Sequence, residues 1–165
     1  PFLLLSPVRN RLKTPFSVIA SARGLNEYMP LHTVELVCNL AEPGCNVLVL
    51  GLAYKGNVND TRESPGVKIA CKLEKRGFKV KTYDPVVEGN EDEKVVKEML
   101  KKLFRWAKVV VVATDHEVFK RCIPEVLSEL KGKVLVDGRL LIDPKQAVKE
   151  GVTYVGIGRS LRHAS

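Results

Sequence analysis

The chain has 165 residues, of which 45% are hydrophobic and 28% charged, as is typical of a globular protein with one domain and an extra element. Its 27 basic and 19 acidic residues are mixed along predicted helices without a basic arm or interleaved aromatic residues, which argues against nucleic acid. No apolar run approaches the ~20 residues that span a bilayer. We therefore expect a cytoplasmic protein that binds an anionic small molecule, with no nucleic-acid partner and no membrane.

The cysteines Cys38, Cys45, Cys71 and Cys122 show neither a CxxC pair nor the spacing of metal ligands. We therefore predict no metal site and no disulfide framework. Cys71 falls on the apolar side of a predicted helix, so we expect it to be a buried and unreactive thiol.

The first part of the chain predicts one long helix. Residues 1–16 have no clear period, whereas an apolar stripe from Val18 to Leu40 predicts a helix over 17–41. Pro30 should kink or break this helix, because proline removes a hydrogen bond and clashes with the preceding turn. Its wide apolar face needs a cover, either the following domain or, as we favour, a second copy of the chain.

From residue 45 onward, short apolar runs alternate with amphipathic segments. Strands are predicted at 46–50, 79–83, 108–113, 134–136 and 153–155, with helices between them. After the third strand we expect two short helices, one around 117–119 and one from Pro124 to Gly132. The alternation predicts an α/β fold, a Rossmann-like doubly wound parallel sheet of about five strands preceded by a long, Pro-kinked helix.

The stretch 51–65, GLAYKGNVNDTRESP, links the first strand to a helix that Ser64 should cap. It is roughly twice as long as the 2–6 residues usual for such a loop. Lys55 and Arg62 lie near the positive end of the helix and, together with free backbone N–H groups, predict an anion site that favours phosphate. The G-x-G-x-x-G fingerprint is missing, so standard dinucleotide binding is not expected.

Ligands of an open parallel sheet bind beyond the carboxyl ends of the strands. Asp84 follows the second strand and is interpreted as a strand-ending turn rather than as a ribose-binding acid. Asp115 and His116 follow the third strand and form either an acid/base pair or, as we favour, a turn that starts a helix. Arg139 follows the fourth strand. No nucleophile and base are grouped by spacing. Lys55, Arg62 and Arg139 are either solvated loop charges or, as we favour because all three follow strand ends, residues that bind a ligand.

Residues 51–65 resemble the most characteristic stretch of the UDP-glucose/GDP-mannose dehydrogenase family, which lies in its C-terminal UDP-sugar-binding domain. The segments 83–85, 113–116, 136–139 and 156–159 follow in the family's order, and residues 22–30 resemble its central dimerisation helix. Within the family, the UDP-N-acetylmannosamine (or related UDP-HexNAc) 6-dehydrogenases are the most similar. On this basis residues 1–43 are a remnant of the central helical dimerisation segment, and residues 44–165 are the UDP-sugar-binding domain.

The resemblance implies an enzyme that oxidises the C6 alcohol of a nucleotide sugar to a carboxylate with NAD. It implies that Lys55 and Arg139 contact the UDP-sugar, that Tyr54 packs beside the nucleotide, and that Arg62 reaches toward NAD held mainly by the N-terminal domain. It also implies a homodimer formed through the 17–42 helix.

The family's NAD-binding domain and its catalytic G-x-C-x-P-x-D motif are not found in the sequence. We therefore expect a C-terminal fragment that has no catalytic residue of its own and is inactive alone. The alternatives are a stand-alone nucleotide-binding or regulatory module and, less favoured, a basic nucleic-acid-binding domain.

Overall fold

The computed structural model describes residues 17–159. In chain order the elements are α1 (Ser17–Leu40), β1 (Asn46–Leu50), α2 (Pro65–Lys75), β2 (Lys79–Tyr83), α3 (Glu93–Trp106), β3 (Val109–Val112), α4 (Glu117–Val126), a 3₁₀ helix (Leu127–Leu130), β4 (Val134–Asp137), α5 (Pro144–Lys149) and β5 (Thr153–Gly156). The predicted α/β class is confirmed, and each predicted strand is present.

The five strands form one parallel sheet with the spatial order β2-β1-β3-β4-β5. All four valines of β3 are fully buried, because helices cover both faces of the sheet. The chain moves outward from β1 to β2 and then crosses back to β3. Such a switch point opens a crevice at the carboxyl ends of the two central strands, where open α/β sheets bind ligands.

Side chains from β1 alternate between two separate apolar cores. Val47 and Val49 pack against α1 and α2, in a cluster that includes Val37 and Leu73. On the opposite face, Leu48 and Leu50 belong to a larger cluster with residues from α3, α4 and α5. The sheet is therefore held from both sides, and its loops project from a rigid support.

Three local predictions need correction. A break at Pro30 is excluded, because α1 is continuous through this residue and its second half is supported by the buried residues Val34 and Val37. Pro124 lies inside α4 rather than at the start of a new helix, and the chain then tightens into a 3₁₀ turn. Cys71 is exposed and Cys122 is the buried thiol, because the buried side of α2 is formed by Gly66, Ile69, Ala70 and Leu73.

The first half of α1 presents apolar side chains that the domain does not cover. Val18 is 80% exposed, Leu25 is 63% exposed and Tyr28 is 44% exposed, whereas Val34 and Val37 are fully buried. Only part of the apolar stripe predicted from the sequence is thus buried against the rest of the domain. None of the helices between residues 17 and 159 is both long and apolar enough to cross a membrane.

The close approach of α2 to the end of β1 predicts that replacing two different glycines by alanine will have very different effects on stability. A Cβ at Gly66 would lie 2.0 Å from the carbonyl oxygen of Gly51. Because the Gly51 oxygen belongs to the backbone and cannot rotate away, we expect Gly66→Ala to lower the free energy of unfolding by about 2–3 kcal/mol. Gly24→Ala meets nothing within 4 Å and should be neutral or stabilising by up to about 1 kcal/mol. Urea denaturation followed by circular dichroism measures both, and equal stabilities would contradict the close approach.

Candidate functional site

The buried carboxylate of Asp84 joins the ends of β1, β2 and β3. Its Oδ2 accepts hydrogen bonds from the N–H groups of Leu52 at 2.6 Å and Ala53 at 2.9 Å, and from His116 Nε2 at 3.0 Å. Its Oδ1 accepts two further N–H groups from the turn that follows β2. The predicted strand-ending turn is therefore present, but the same side chain also fixes the start of the loop after β1.

These donors decide the charge of Asp84. Burial alone would raise the pKa of this carboxyl, but the hydrogen bonds from His116 and from backbone N–H groups outweigh it and hold the pKa at about 2. The carboxylate is therefore stabilised by directed donors, although it is fully buried.

His116 is fully buried and connects Asp84 to the loop after β1. Its Nδ1 accepts the backbone N–H of Asn57 at 3.0 Å, and its Nε2 lies 3.0 Å from Asp84. Because a backbone N–H can only donate, the geometry assigns the ring proton to Nε2. His116 is thus the residue before α4, as the favoured interpretation expects, and the acid/base pairing with Asp115 is not formed.

Asn57 links the loop to the neighbouring helix. It adopts a left-handed backbone conformation with φ of 59°, which asparagine tolerates better than most residues. Its Oδ1 accepts the N–H of Glu117 at 2.9 Å and so caps α4, whose own preceding residue, His116, provides no side-chain cap. The sequence interpretation did not assign a role to Asn57.

The exposed tip of the loop, residues 55–59, extends beyond two hydrogen bonds at its base. Thr114 Oγ1 donates to the carbonyl of Ala53 at 2.8 Å, and the N–H of Tyr54 donates to the carbonyl of Asp60 at 2.6 Å. The Tyr54 side chain is 55% exposed. Lys55 is also exposed and has no ion pair or hydrogen bond to its side chain within residues 17–159, so both side chains are accessible to a ligand.

The start of α2 does not offer the free N–H groups that the sequence predicted. Ser64 Oγ accepts from the N–H groups of Gly66 and Val67, and the Ser64 carbonyl accepts from Lys68. Pro65 carries no N–H at all. This part of the predicted anion site is therefore wrong, because the helix satisfies its own first turn.

Arg62 is bound within the loop itself. Its Nε and Nη2 donate to the carboxylate of Asp60 at 3.0 Å and 2.7 Å, and these hydrogen bonds lower the pKa of Asp60 to about 2. The Arg62 side chain is 88% exposed. It therefore projects from the loop toward solvent in a geometry that Asp60 sets.

Arg139, after β4, is turned toward the loop after β3. Its Nε and Nη2 lie 3.0 Å and 2.8 Å from Asp115 Oδ1, and its side chain remains 47% exposed. Its backbone N–H donates to the fully buried Asp137 at 3.0 Å, which also accepts from Ile142 and from the hydroxyl of Tyr154. Burial and the charge of Asp137 raise the pKa of Tyr154, so its hydroxyl remains a donor.

The short segment 114–116 therefore connects two loops that carry cations. Thr114 and His116 hold the loop of Lys55, and Asp115 holds Arg139. Both loops lie at the carboxyl edge of the sheet beside the switch point. Over residues 17–159, no group of three or more His, Cys, Asp and Glu side chains is placed to hold a metal ion.

Fold and site together define an open, doubly wound α/β domain with exposed cationic side chains on the loops at the carboxyl ends of its strands. The family model described as "UDP-glucose/GDP-mannose dehydrogenase family, UDP binding domain" matches residues 48–144. The chain belongs to the UDP-glucose/GDP-mannose dehydrogenase family.

Relatives and solved structures agree with this assignment. The chain is 36% identical over 166 residues to the UDP-N-acetyl-D-mannosamine dehydrogenase of Pyrococcus horikoshii, covering 96% of this chain and 37% of that protein. It is 30% identical over 154 residues to the UDP-glucose 6-dehydrogenase TuaD of Bacillus subtilis, covering 88% of this chain and 33% of that protein. The solved UDP-D-ManNAc dehydrogenase from P. horikoshii superposes with a TM-score of 0.75 at 35% identity, over 96% of this chain and 37% of that one. The chain thus spans about a third of the length of these proteins.

The Asp84 network predicts a specific loss of stability in acid. The pKa of Asp84 is about 2 in the folded chain, against about 3.9 for an unfolded aspartate. Because the folded state binds this proton more weakly, Asp84 stabilises the fold fully above about pH 4 and loses that contribution as the pH falls toward about 2. We expect the free energy of unfolding to fall by about 2 kcal/mol over this window through Asp84 alone.

Urea denaturation between about pH 5 and about pH 2, with and without Asp84→Asn, measures this contribution. The variant should be less stable near neutral pH, because the carboxylate's hydrogen bonds are weakened, and its stability should depend less on pH. Glu91→Gln is the control, since this exposed carboxyl has no hydrogen bond or ion pair within residues 17–159. If Glu91→Gln flattened the pH profile as much as Asp84→Asn, the role of the buried carboxylate would be disproved.

Proposed function

We propose that residues 44–165 are the UDP-sugar-binding domain of an NAD-dependent nucleotide-sugar 6-dehydrogenase. The whole enzyme would oxidise the C6 alcohol of the sugar to a carboxylate, with NAD bound mainly by an N-terminal domain. The observation that carries the proposal is the family match over 48–144, on a fold whose cation-bearing loops meet at the switch point of the sheet. This chain would bind and orient the nucleotide sugar and would be inactive alone.

The substrate we propose is UDP-N-acetylmannosamine or a related UDP-HexNAc. The support is the graded similarity, with 36% identity to a relative named as a UDP-N-acetyl-D-mannosamine dehydrogenase and 30% to one named as a UDP-glucose 6-dehydrogenase.

The proposed roles of the site residues follow from their surroundings. Lys55 has no partner within residues 17–159, so its full charge is available to the diphosphate or the sugar. Arg139 uses Nε and Nη2 toward Asp115, which leaves Nη1 to donate to the same ligand. The half-exposed ring of Tyr54 would pack beside the nucleotide. Arg62, directed outward by Asp60, would contact NAD held by the N-terminal domain.

A stand-alone nucleotide-binding module is the second candidate, because the family model that matches residues 48–144 is that of a UDP-binding domain. Both candidates predict a nucleotide site, but only the first predicts NAD-dependent oxidation after the chain is joined to the N-terminal domain of a relative. A fusion that binds UDP-sugar and NAD but produces no NADH would favour the stand-alone module.

Calorimetric titration of the chain with UDP and with UDP-N-acetylmannosamine tests the proposed site. We expect saturable binding, weakened about tenfold by Lys55→Ala and by Arg139→Ala, because each removes a charge-assisted hydrogen bond. Lys102→Ala is the control, since this exposed lysine lies in the second half of α3, which leads to the opposite edge of the sheet. Equal weakening by Lys102→Ala, or steeply salt-dependent binding of duplex DNA in place of UDP, would refute the site.

The exposed apolar half of α1 supports a second proposal, that two copies of the chain dimerise through residues 17–42. Sedimentation equilibrium should show a dimer, and Leu25→Glu should shift it to a monomer, because a charge would be buried without a partner. Ala20→Glu, about 140° around the helix axis from Leu25, should leave the dimer intact. A wild-type chain that stays monomeric at high concentration would rule out this assembly.

A further inference from the structure

The loop tip that carries Lys55 is attached to the protein core by few bonds. Before Lys55, the N–H of Tyr54 bonds to the carbonyl of Asp60 in the same loop, and the nearest external bonds are those of Ala53, through its N–H to Asp84 and through its carbonyl to Thr114. After Lys55, the N–H of Asn57 bonds to Nδ1 of His116, a fully buried residue between β3 and α4. The bond from Asn57 to His116 is therefore the nearest external attachment after Lys55 in the chain.

We propose that His116 is a positioning residue for ligand binding by Lys55. Its ring is held by Asp84 and in turn fixes where the loop tip lies. This proposal rests on the UDP-sugar site proposed above. On one side of the ring, Nε2 lies 3.0 Å from Asp84 Oδ2. On the other side, Nδ1 accepts the N–H of Asn57 at 3.0 Å. His116 would not touch the ligand or the reacting atoms.

The imidazole ring suits this task for a chemical reason. The position needs an acceptor toward Asn57 and a donor toward Asp84, at a fixed separation inside a fully buried site. A neutral imidazole provides both on opposite sides of one rigid ring. Phe119 packs edge-on against the ring with centroids 5.5 Å apart, which restricts its rotation further.

The same connection couples the loop to the helix after β3. Asn57 bonds to His116 through its N–H and to Glu117 through its Oδ1 at 2.9 Å. The tip of the loop and the first turn of α4 are therefore held together, and the ring of His116 fixes their position.

Two conservative variants separate the two bonds of the ring. His116→Asn keeps an acceptor near the place of Nδ1 and loses the donor toward Asp84. His116→Gln keeps a donor near the place of Nε2 and loses the acceptor toward Asn57. We expect His116→Gln to weaken UDP binding about tenfold, as Lys55→Ala does. His116→Asn should weaken it by a smaller factor, because its acceptor toward Asn57 is kept but is no longer fixed by Asp84.

The double variant His116→Gln with Lys55→Ala tests whether the effect passes through Lys55. We expect it to bind UDP no more weakly than Lys55→Ala alone, because a mispositioned lysine and an absent lysine are equivalent. Val118→Ala is the control for general destabilisation, since Val118 is buried in the first turn of α4 and should leave UDP affinity unchanged.

The outcomes distinguish this inference from the proposed function. No UDP binding by the wild-type chain would overturn both. Wild-type binding with an unaffected His116→Gln, or with losses that add fully in the double variant, would overturn only the role of His116.

A measurement on the wild-type chain covers the case in which a His116 variant fails to fold. Long-range ¹H–¹⁵N correlation spectra should show the His116 ring proton on Nε2, with the Asn57 amide protected from exchange. UDP should shift the Asn57 amide and the His116 ring together. A ring proton on Nδ1, or an Asn57 amide that exchanges freely and ignores UDP, would overturn the inference.

Discussion

The carboxylate of Asp84 is the constraint on which this edge of the sheet depends. An ionised group that is fully buried is tolerated only when directed donors replace the water it has lost. Here the donors come from the loop after β1, from the turn after β2 and from His116 after β3. Satisfying one charge therefore fixes the ends of all three strands relative to each other.

The same arrangement recurs at Asp137, on the other side of the switch point. This buried aspartate accepts the N–H of Arg139, the N–H of Ile142 and the hydroxyl of Tyr154. Each cation-bearing loop is thus held by a buried acid at the end of a strand. The exposed cations need no rigid packing of their own, because the second layer of hydrogen bonds determines where their backbones lie.

The sequence predicted what is determined locally. The run of valines in β3 and the Ser64–Pro65 start of α2 are local signals, and the structure confirms them. The partners of His116 were not predictable, because Asp84 and Asn57 lie far from it in the chain and meet it only after the sheet has formed. Pro124 was misinterpreted for a related reason, since tertiary packing supports a helix that a local rule would end. Asp137 did carry a signal, as an acidic residue that closes an apolar strand. Its donors Arg139 and Ile142 are close to it in the chain, and only the hydroxyl of Tyr154 comes from β5.

The capped start of α2 changes how an anion would be recognised at this edge. Ser64 occupies the N–H groups that commonly bind phosphate at a helix start, so under the proposed function recognition falls to side chains. Asp115 already neutralises part of the charge of Arg139, whereas Lys55 has no such partner within residues 17–159. Lys55 would then provide most of the attraction for an anion. Arg139 has a fixed orientation and would discriminate between ligands. A poorly placed acceptor would form too weak a hydrogen bond to offset the free-energy cost of removing water from the ion pair between Arg139 and Asp115.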